Sequence, residues 1–360
     1  MTRASSERDA VARARRVVIK IGSRTLASDR AVYERLAASI ARARAAERAV
    51  VLVSSGAIAL GTRKLGYRTR PKEMARLQAA AAAGQSVLMR AYEEAFDAQG
   101  IAVAQVLLTH ADLASRERGN NARAALGALL EAGAVPILNE NDSVSVEEIK
   151  FGDNDQLSAM VVPLVDADLL VLLSDVEGLL DASGARVPVV RDVEQEAMPL
   201  VRASTSTVGT GGMASKLEAA RRATLAGANV VVADARDEGV IDAVLAGKDV
   251  GTLFVASSKR LTARKHWIAF TLRPRGEVVL DRGAAEAVRA KGKSVLSVGV
   301  LGVRGDFRAG DSVRLLDPDG KELGRGLARC AVVDAVLIAG KKQDDEERAV
   351  LVHRDELVVF

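Results

Sequence analysis

The sequence predicts a three-layer α/β domain, a mainly parallel sheet sandwiched by helices, with a small β-rich domain after it. Three observations carry that expectation. Short β-branched runs alternate with Ala-rich segments of helical period up to about residue 256. The runs are apolar throughout, as strands are when both sheet faces are covered. Beyond residue 256 the pattern changes to short strand-like runs separated by turn signals such as DPDG at 317–320.

In order, Val17–Ile21, Ala49–Val53, Ile101–Leu108, Ala134–Leu138, Asp168–Leu173 and Asn229–Ala233 read as buried strands. Helical stretches fall around Val32–Glu47, Lys72–Gln99, Arg118–Glu131, Asp155–Val165 and Ala214–Ala226. Such alternation gives a parallel sheet whose ligands sit at the carboxyl ends of the strands. The basic stretch SSKRLTARKHWIAFTLRPRG lacks clear periodicity and reads as a linker or docking segment. Beyond it GEVVL, SVLSVGV, DSVRLLD and AVLVH read as short strands. The expected domains are therefore 1–258, a linker at 259–275, and a β domain at 276–360.

Bulk composition narrows the function. At 360 residues, 49% hydrophobic and 27% charged, the chain buries a sizeable core and is not disordered. A net charge of +4 suits an anionic small ligand and is too weak to argue for nucleic acid. Aromatics at 3% leave few platforms for stacking bases. Cys330 stands alone, so no internal disulfide or CxxC pair forms, which is compatible with a reducing compartment. His110, His266 and His353 are scattered, which disfavours a His-based zinc centre. The N-terminus has no apolar h-region, and no apolar run approaches the ~18 residues of a membrane span. A cytoplasmic protein is expected.

Polar or Gly-rich clusters follow the predicted strands. Lys20 ends the first, with Gly22-Ser23 behind it, and Ser54-Ser55-Gly56 follows the second. The segment NENDSVSVEEIKFGDNDQ follows the fourth, and Ser174-Asp175 follows the fifth. STVGTGGMASK then runs into a helix, with Lys216 in its first turn. Loops after strands are polar anyway, so any one cluster carries little. The Gly-rich run lacks the GxxxxGK[ST] of a Walker loop, and Ala214 spoils a dinucleotide fingerprint. DNDQLSAMVVPL lacks the glycine and glutamate of an EF-hand, so a calcium loop fails too; Asp153 or Asn154 can cap the helix that follows. Together, two lysines beside glycines at strand and helix ends suit phosphate oxygens. Phosphoryl transfer asks mainly for positioning and charge, which fits the scarcity of His and Cys.

VIKIGS, SSGAIALG, LLTHADL, RERGNNAR, NENDSVSVEEIKFGDND, LLSDVEGL and GTGGMASK, in this order, resemble the amino-acid kinase family, and within it the glutamate 5-kinases. GDFRAGDSVRLLDPDGKELGRGLA is similar to the PUA domain that many bacterial members carry. The resemblance covers nearly the whole chain. It implies the amino-acid kinase fold and Mg-ATP-dependent phosphorylation of the side-chain carboxylate of L-glutamate, the first step of proline synthesis.

By the same resemblance, Lys20, with Gly22 beside it, corresponds to the ATP-phosphate lysine. Ser55, Asp142 and Asn154 correspond to glutamate-binding positions. Ser174, Asp175 and the run Thr210, Gly211, Gly212, Met213, Ala214, Ser215 and Lys216 match nucleotide-binding segments. Asp155 matches the carboxylate that holds the active-site lysines, so Lys20, Lys216 and Asp155 form the expected catalytic set. No protein ligand to a metal is assigned, since Mg²⁺ would ride on ATP. An ammonium wants the oxygens of Asp142 and Asn154, and a carboxylate between two lysines offsets their repulsion.

Departures exist. The segment after SDVEGL is shorter than usual and lacks a tyrosine or an ADPR-like element. His110 stands where arginine is common, and a packing role is expected of it. Acetylglutamate kinases and aspartokinases share the lysines but not the NEND…GDND arrangement. PUA-like domains often bind RNA; however, Arg273, Arg275, Lys291 and Lys293 are interleaved with Asp306, Asp311, Asp317 and Asp319, which leaves no clean basic patch. The family also implies a tetramer and feedback inhibition by proline, for which the loop 143–150 is a candidate site.

Overall fold

The apolar runs line up side by side. The computed structural model describes residues 3–28, 30–144, 154–202, 212–342 and 349–360. It divides into two units, Met1–Arg260 and Leu261–Phe360.

The first unit begins with α1 (Arg3–Ala12), β1 (Arg16–Ile21), α2 (Ser23–Ser28), α3 (Ala31–Ala45) and β2 (Ala49–Ser54). Next come α4 (Ala57–Lys64), α5 (Met74–Asp97), β3 (Val103–Leu108), α6 (His110–Ala114), α7 (Arg116–Glu131) and β4 (Val135–Glu140). After the undescribed stretch follow α8 (Asn154–Leu164), β5 (Leu169–Ser174), β6 (Val189–Val190), α9 (Met198–Arg202), α10 (Met213–Ala226) and β7 (Asn229–Asp234). The unit closes with α11 (Val240–Leu245) and β8 (Thr252–Phe254).

These strands form one sheet in the order β3-β4-β2-β1-β5-β7-β8-β6. All pairs are parallel except β7 with β8. From β1 the chain first builds outward through β2, and later returns to lay β5 on β1's other side, with Lys20 level with Leu172. That reversal of direction opens a crevice at the carboxyl ends of β1 and β5.

Period-two alternation sends successive side chains to opposite faces, and both faces are apolar. Ile19, Ile21, Leu52, Ile137 and Val171 pack with Leu36 and Ile40 of α3 and with Leu88, Tyr92 and Phe96 of α5. Val18, Val51, Val53, Leu170 and Val230 pack instead with Leu157 and Val161 of α8 and Leu217 and Ala220 of α10. Lys20 shares the parity of Val18, so it lies on the face that α8 and α10 cover.

Two local features position the rest. Helices α4 and α5 meet backbone to backbone: a Cβ on Gly61 would sit 1.7 Å from the Ala80 oxygen, and one on Gly84 1.8 Å from the Ala57 oxygen. At the far edge of the sheet, Arg8 of α1 is buried. Its guanidinium donates to the carbonyls of Pro188, Lys248, Val250 and Gly251 and to the Asp249 carboxylate.

The second unit begins with α12 (Ala263–His266), so the stretch read as a linker carries a helix whose His266 is buried, followed by buried Ile268, Ala269 and Phe270. Then come β9 (Gly276–Leu280), α13 (Arg282–Lys291), β10 (Val295–Leu296), β11 (Val300–Gly305), β12 (Ser312–Leu316), β13 (Glu322–Ala328), α14 (Val332–Ile338) and β14 (Val350–Val359). A six-stranded sheet in the order β10-β14-β13-β12-β9-β11 encloses its own core around Val278, Leu280, Phe307, Leu315 and Leu351. The turn DPDG joins β12 to β13, and Asp281 caps α13 by accepting the Ala284 N–H at 2.7 Å. Among the described residues no helix is long and apolar enough to cross a membrane.

Candidate active site

A cleft of about 990 Å³ lies over the carboxyl ends of β1, β2, β4 and β5. Lys20, Gly22, Ser55, Asp142, Asn154, Asp155, Ser174, Asp175, Gly212, Met213 and Lys216 all line it. Ala214 and Ser215 belong to the same first turn of α10 but are not among the lining residues. Thr210 and Gly211 lie outside the described residues, as do Gly152, Asp153 and positions 145–150 of the loop singled out for regulation. His110 opens α6 away from the cleft lining, beside the Thr109–Asp112 capping box.

At its centre three charges meet. Asp155, in the first turn of α8, is only 1% exposed. One carboxylate oxygen pairs with the Lys20 ammonium, and the other lies 3.2 Å from that of Lys216. Burial pushes the Asp155 carboxyl up, but the ammonium groups of Lys20 and Lys216 outweigh it and hold the group below the ordinary carboxylate range. Strand β1 and helix α10 thus each deliver one cation to an anion on α8. The start of α10 reinforces the arrangement: Gly212 accepts the N–H groups of Ser215 and Lys216, and Gln156 donates across to the Ser215 carbonyl at 3.2 Å.

Beside this centre the cleft wall carries a group of neutral polar side chains, with Glu140 and Asp142 next to them. The Asn154 amide nitrogen lies 2.7 Å from the Ser55 hydroxyl, 3.1 Å from the Ser54 carbonyl and 3.0 Å from the Asn139 amide oxygen. Ser54 shares a 2.8 Å hydrogen bond with Tyr92 underneath. Gly56, at φ 110°, turns the chain from β2 into α4 through the left-handed region that favours glycine. Asp142 lies just past β4, on the same lining. At the other end Arg24 donates to Asp175 at 2.7 Å, and Arg236 donates to the Asp175 carbonyl at 3.2 Å. The Arg24 hydrogen bond holds the Asp175 carboxyl below its ordinary value.

Sequence reading missed two contributions. Asn139 is the first residue of the NEND run and lines the cleft, yet only Asp142 was singled out there. Arg63, Tyr67, Arg68 and Arg70, in and after α4, add a basic wall. The signal was present, as a cluster of arginines between two helices, but nothing in its spacing tied it to strand ends.

A parallel α/β sheet that brings two lysines, a bridging carboxylate and a helix start to one strand-end cleft defines a phosphotransferase of the kinase class. The chain belongs to the amino acid kinase family, whose sequence profile matches residues 15–234. A PUA domain profile matches residues 276–350. The chain is 46% identical to the glutamate 5-kinase of Pelobacter propionicus, an alignment spanning 96% of this chain and 98% of that one. It is 46% identical to the glutamate 5-kinase of Trichlorobacter lovleyi, over 96% and 97% of the two chains. To that of Cupriavidus taiwanensis it is 44% identical, over 97% and 99%.

Proposed function

We propose that this chain transfers the γ-phosphoryl group of ATP to the side-chain carboxylate of L-glutamate, giving glutamyl 5-phosphate for proline synthesis. The observation that carries this reading is the Lys20–Asp155–Lys216 bridge beside the Asn154–Ser55 pair, in a chain of this family. A carboxylate oxygen of glutamate attacks the γ-phosphorus in line, and the bond from that phosphorus to the β-γ bridging oxygen breaks. The bond's electrons leave with ADP. The acceptor is already ionised at neutral pH, so no general base is needed.

What remains is positioning and charge. Lys20 and Lys216 neutralise the oxygens of the phosphoryl group in flight, and Asp155 keeps both ammonium groups fixed, so that no reorganisation is required as charge develops. Both Asp155 oxygens face lysines, so that carboxylate is engaged by cations and does not itself hold a metal; Mg²⁺ would enter with ATP. The ion then supplies neutralisation of the triphosphate. Ser55, Asp142 and Asn154 take the amino acid, with the ammonium drawn to amide and carboxylate oxygens. Gly22, Ser174, Asp175 and the start of α10 border the nucleotide.

The deciding experiment is ADP release with glutamate, N-acetylglutamate and aspartate as acceptors. Glutamate alone should support turnover; preference for either of the others would replace this reading with the acetylglutamate kinase or aspartokinase one. Cytoplasmic location, a homo-oligomeric state and inhibition by proline belong to the same proposal, and the last is read in the same assay by adding proline.

A further inference from the structure

Where β1 and β5 finish, one ion pair joins the two strand ends. Arg24 lies in the first turn of α2, shortly after Lys20, and Asp175 directly follows β5. Both line the cleft. The Arg24 guanidinium donates to one Asp175 carboxylate oxygen at 2.7 Å, and the Ser174 hydroxyl donates to the other at 3.2 Å. The Asp175 carbonyl is held separately by Arg236, whose Nε contacts both oxygens of the Asp234 carboxylate.

The two partners are unequally anchored. Without Arg24, Asp175 keeps its Ser174 hydrogen bond and its backbone anchor. The Arg24 side chain is 76% exposed, and among the described residues Asp175 is its only ion-pair partner. An exposed pair of this kind contributes little, so a more highly charged anion displaces the carboxylate readily.

Charge at the phosphoryl centre argues for such an exchange. Lys20 and Lys216 share Asp155, so the three groups together carry a single net positive charge. A triphosphate and a carboxylate acceptor bring several negative charges there, and one Mg²⁺ leaves a surplus. The other cations lining the cleft are Arg24 and, in or after α4, Arg63, Arg68 and Arg70. The last three follow Ser55, at the amino acid's end. Arg24 follows Gly22-Ser23, at the nucleotide's. Lys20, with a side chain only 10% exposed, meets the transferred group, and the more exposed Arg24 stands further out, beside the next phosphate.

We propose that Arg24 is a nucleotide-binding residue that exchanges Asp175 for the β-phosphate oxygens of ATP and ADP. Its planar fork offers two parallel N–H groups to those oxygens, which a lysine does not. The inference rests on the reading that this end of the cleft takes the nucleotide.

The test is calorimetric titration of the full chain, with Mg²⁺ present, using ADP and using AMP, which lacks the β-phosphate. Arg24→Ala should weaken ADP binding roughly tenfold, the scale of a charge-assisted hydrogen bond, and leave AMP near wild type. Arg24→Lys keeps the charge without the fork and should fall between. In steady-state assays Arg24→Ala should raise KM for ATP while KM for glutamate holds. The Arg24→Ala penalty on ADP should persist in an Asp175→Asn background; its disappearance would mean that Arg24 acts only by holding Asp175, and would overturn the proposal. So would an unchanged ADP affinity in Arg24→Ala, an equal loss for ADP and AMP, or a rise in KM for glutamate matching that for ATP. Should Arg24→Ala fail to fold, Arg24→Gln is read by the same criteria. A wild type that binds neither nucleotide would sink the nucleotide reading together with this one, whereas tight ADP binding indifferent to Arg24 sinks this one alone.

Discussion

Lys216 reaches the cleft only because α10 begins where it does, and it shares Asp155 with Lys20. Lys216→Ala should lower kcat by about a hundredfold or more, the scale of losing one preorganised donor to a transition state. Circular dichroism should report an intact fold, because Lys20 still answers Asp155. Asp155→Asn is a different kind of change, since it leaves two buried ammonium groups facing each other. It should destabilise the protein by on the order of 3 kcal/mol at neutral pH, measured by urea unfolding. The pH dependence has a definite sign. A carboxyl depressed in the folded state contributes stability that is fully present above its unfolded value, about 3.9, and lost as pH falls through the lower folded one. The gap between wild type and Asp155→Asn should therefore hold steady above about pH 5 and narrow below about pH 4; a gap unchanged under acid would refute the ion-pair account. At this scale the gathering of Lys20, Ser55 and Asp155 in one cleft was legible because each stands at the end of a strand or the start of a helix. The hydrogen bond of Gln85 was not legible: it is one of two polar letters in AAAAAGQSV, and its partner Asn139 is 54 positions away.

Among the elements, the crossing of α4 over α5 admits the least change. Gly84→Ala would drive a methyl group into the Ala57 carbonyl, and the helices would have to part. We expect a loss of at least about 1–3 kcal/mol, the usual cost of overpacking, read as a lower thermal midpoint. Glutamate KM should rise alongside it, because α4 leads out of the Ser55-Gly56 turn that lines the cleft. The long periodic segments were plain in the sequence: α3, α5, α7, α8 and α10 differ from their expected bounds by one or two residues at most ends. Short elements were not. β6 has two residues and β8 three, too few to express a period, and they exist because the sheet edge supplies hydrogen-bond partners. Helix α4 hid inside GAIALGTRK, where Gly61 reads as a breaker and is in fact the contact point.

For the whole molecule, every described residue of the cleft lies in the first unit, and the second has its own core. A chain ending at Arg260 should keep glutamate-dependent ADP release, and complete loss from a folded truncation would assign the β-rich unit a part in turnover. The change of pattern near residue 256 announced two units because sandwiched parallel strands and short meandering ones leave different signatures. The segment 261–271 left no such mark: its helix is short, and the burial of His266 and Phe270 comes from neighbours far along the chain.

Arg8 has a consequence for synthesis on the ribosome. Its acceptors come between 180 and 243 residues later in the chain. Helix α1 is therefore made long before its partners and is among the last elements to be seated. Until Gly251 has emerged, its guanidinium has no carbonyl cage to enter, so a nascent chain stalled within β8 should remain sensitive to protease at its N-terminal end.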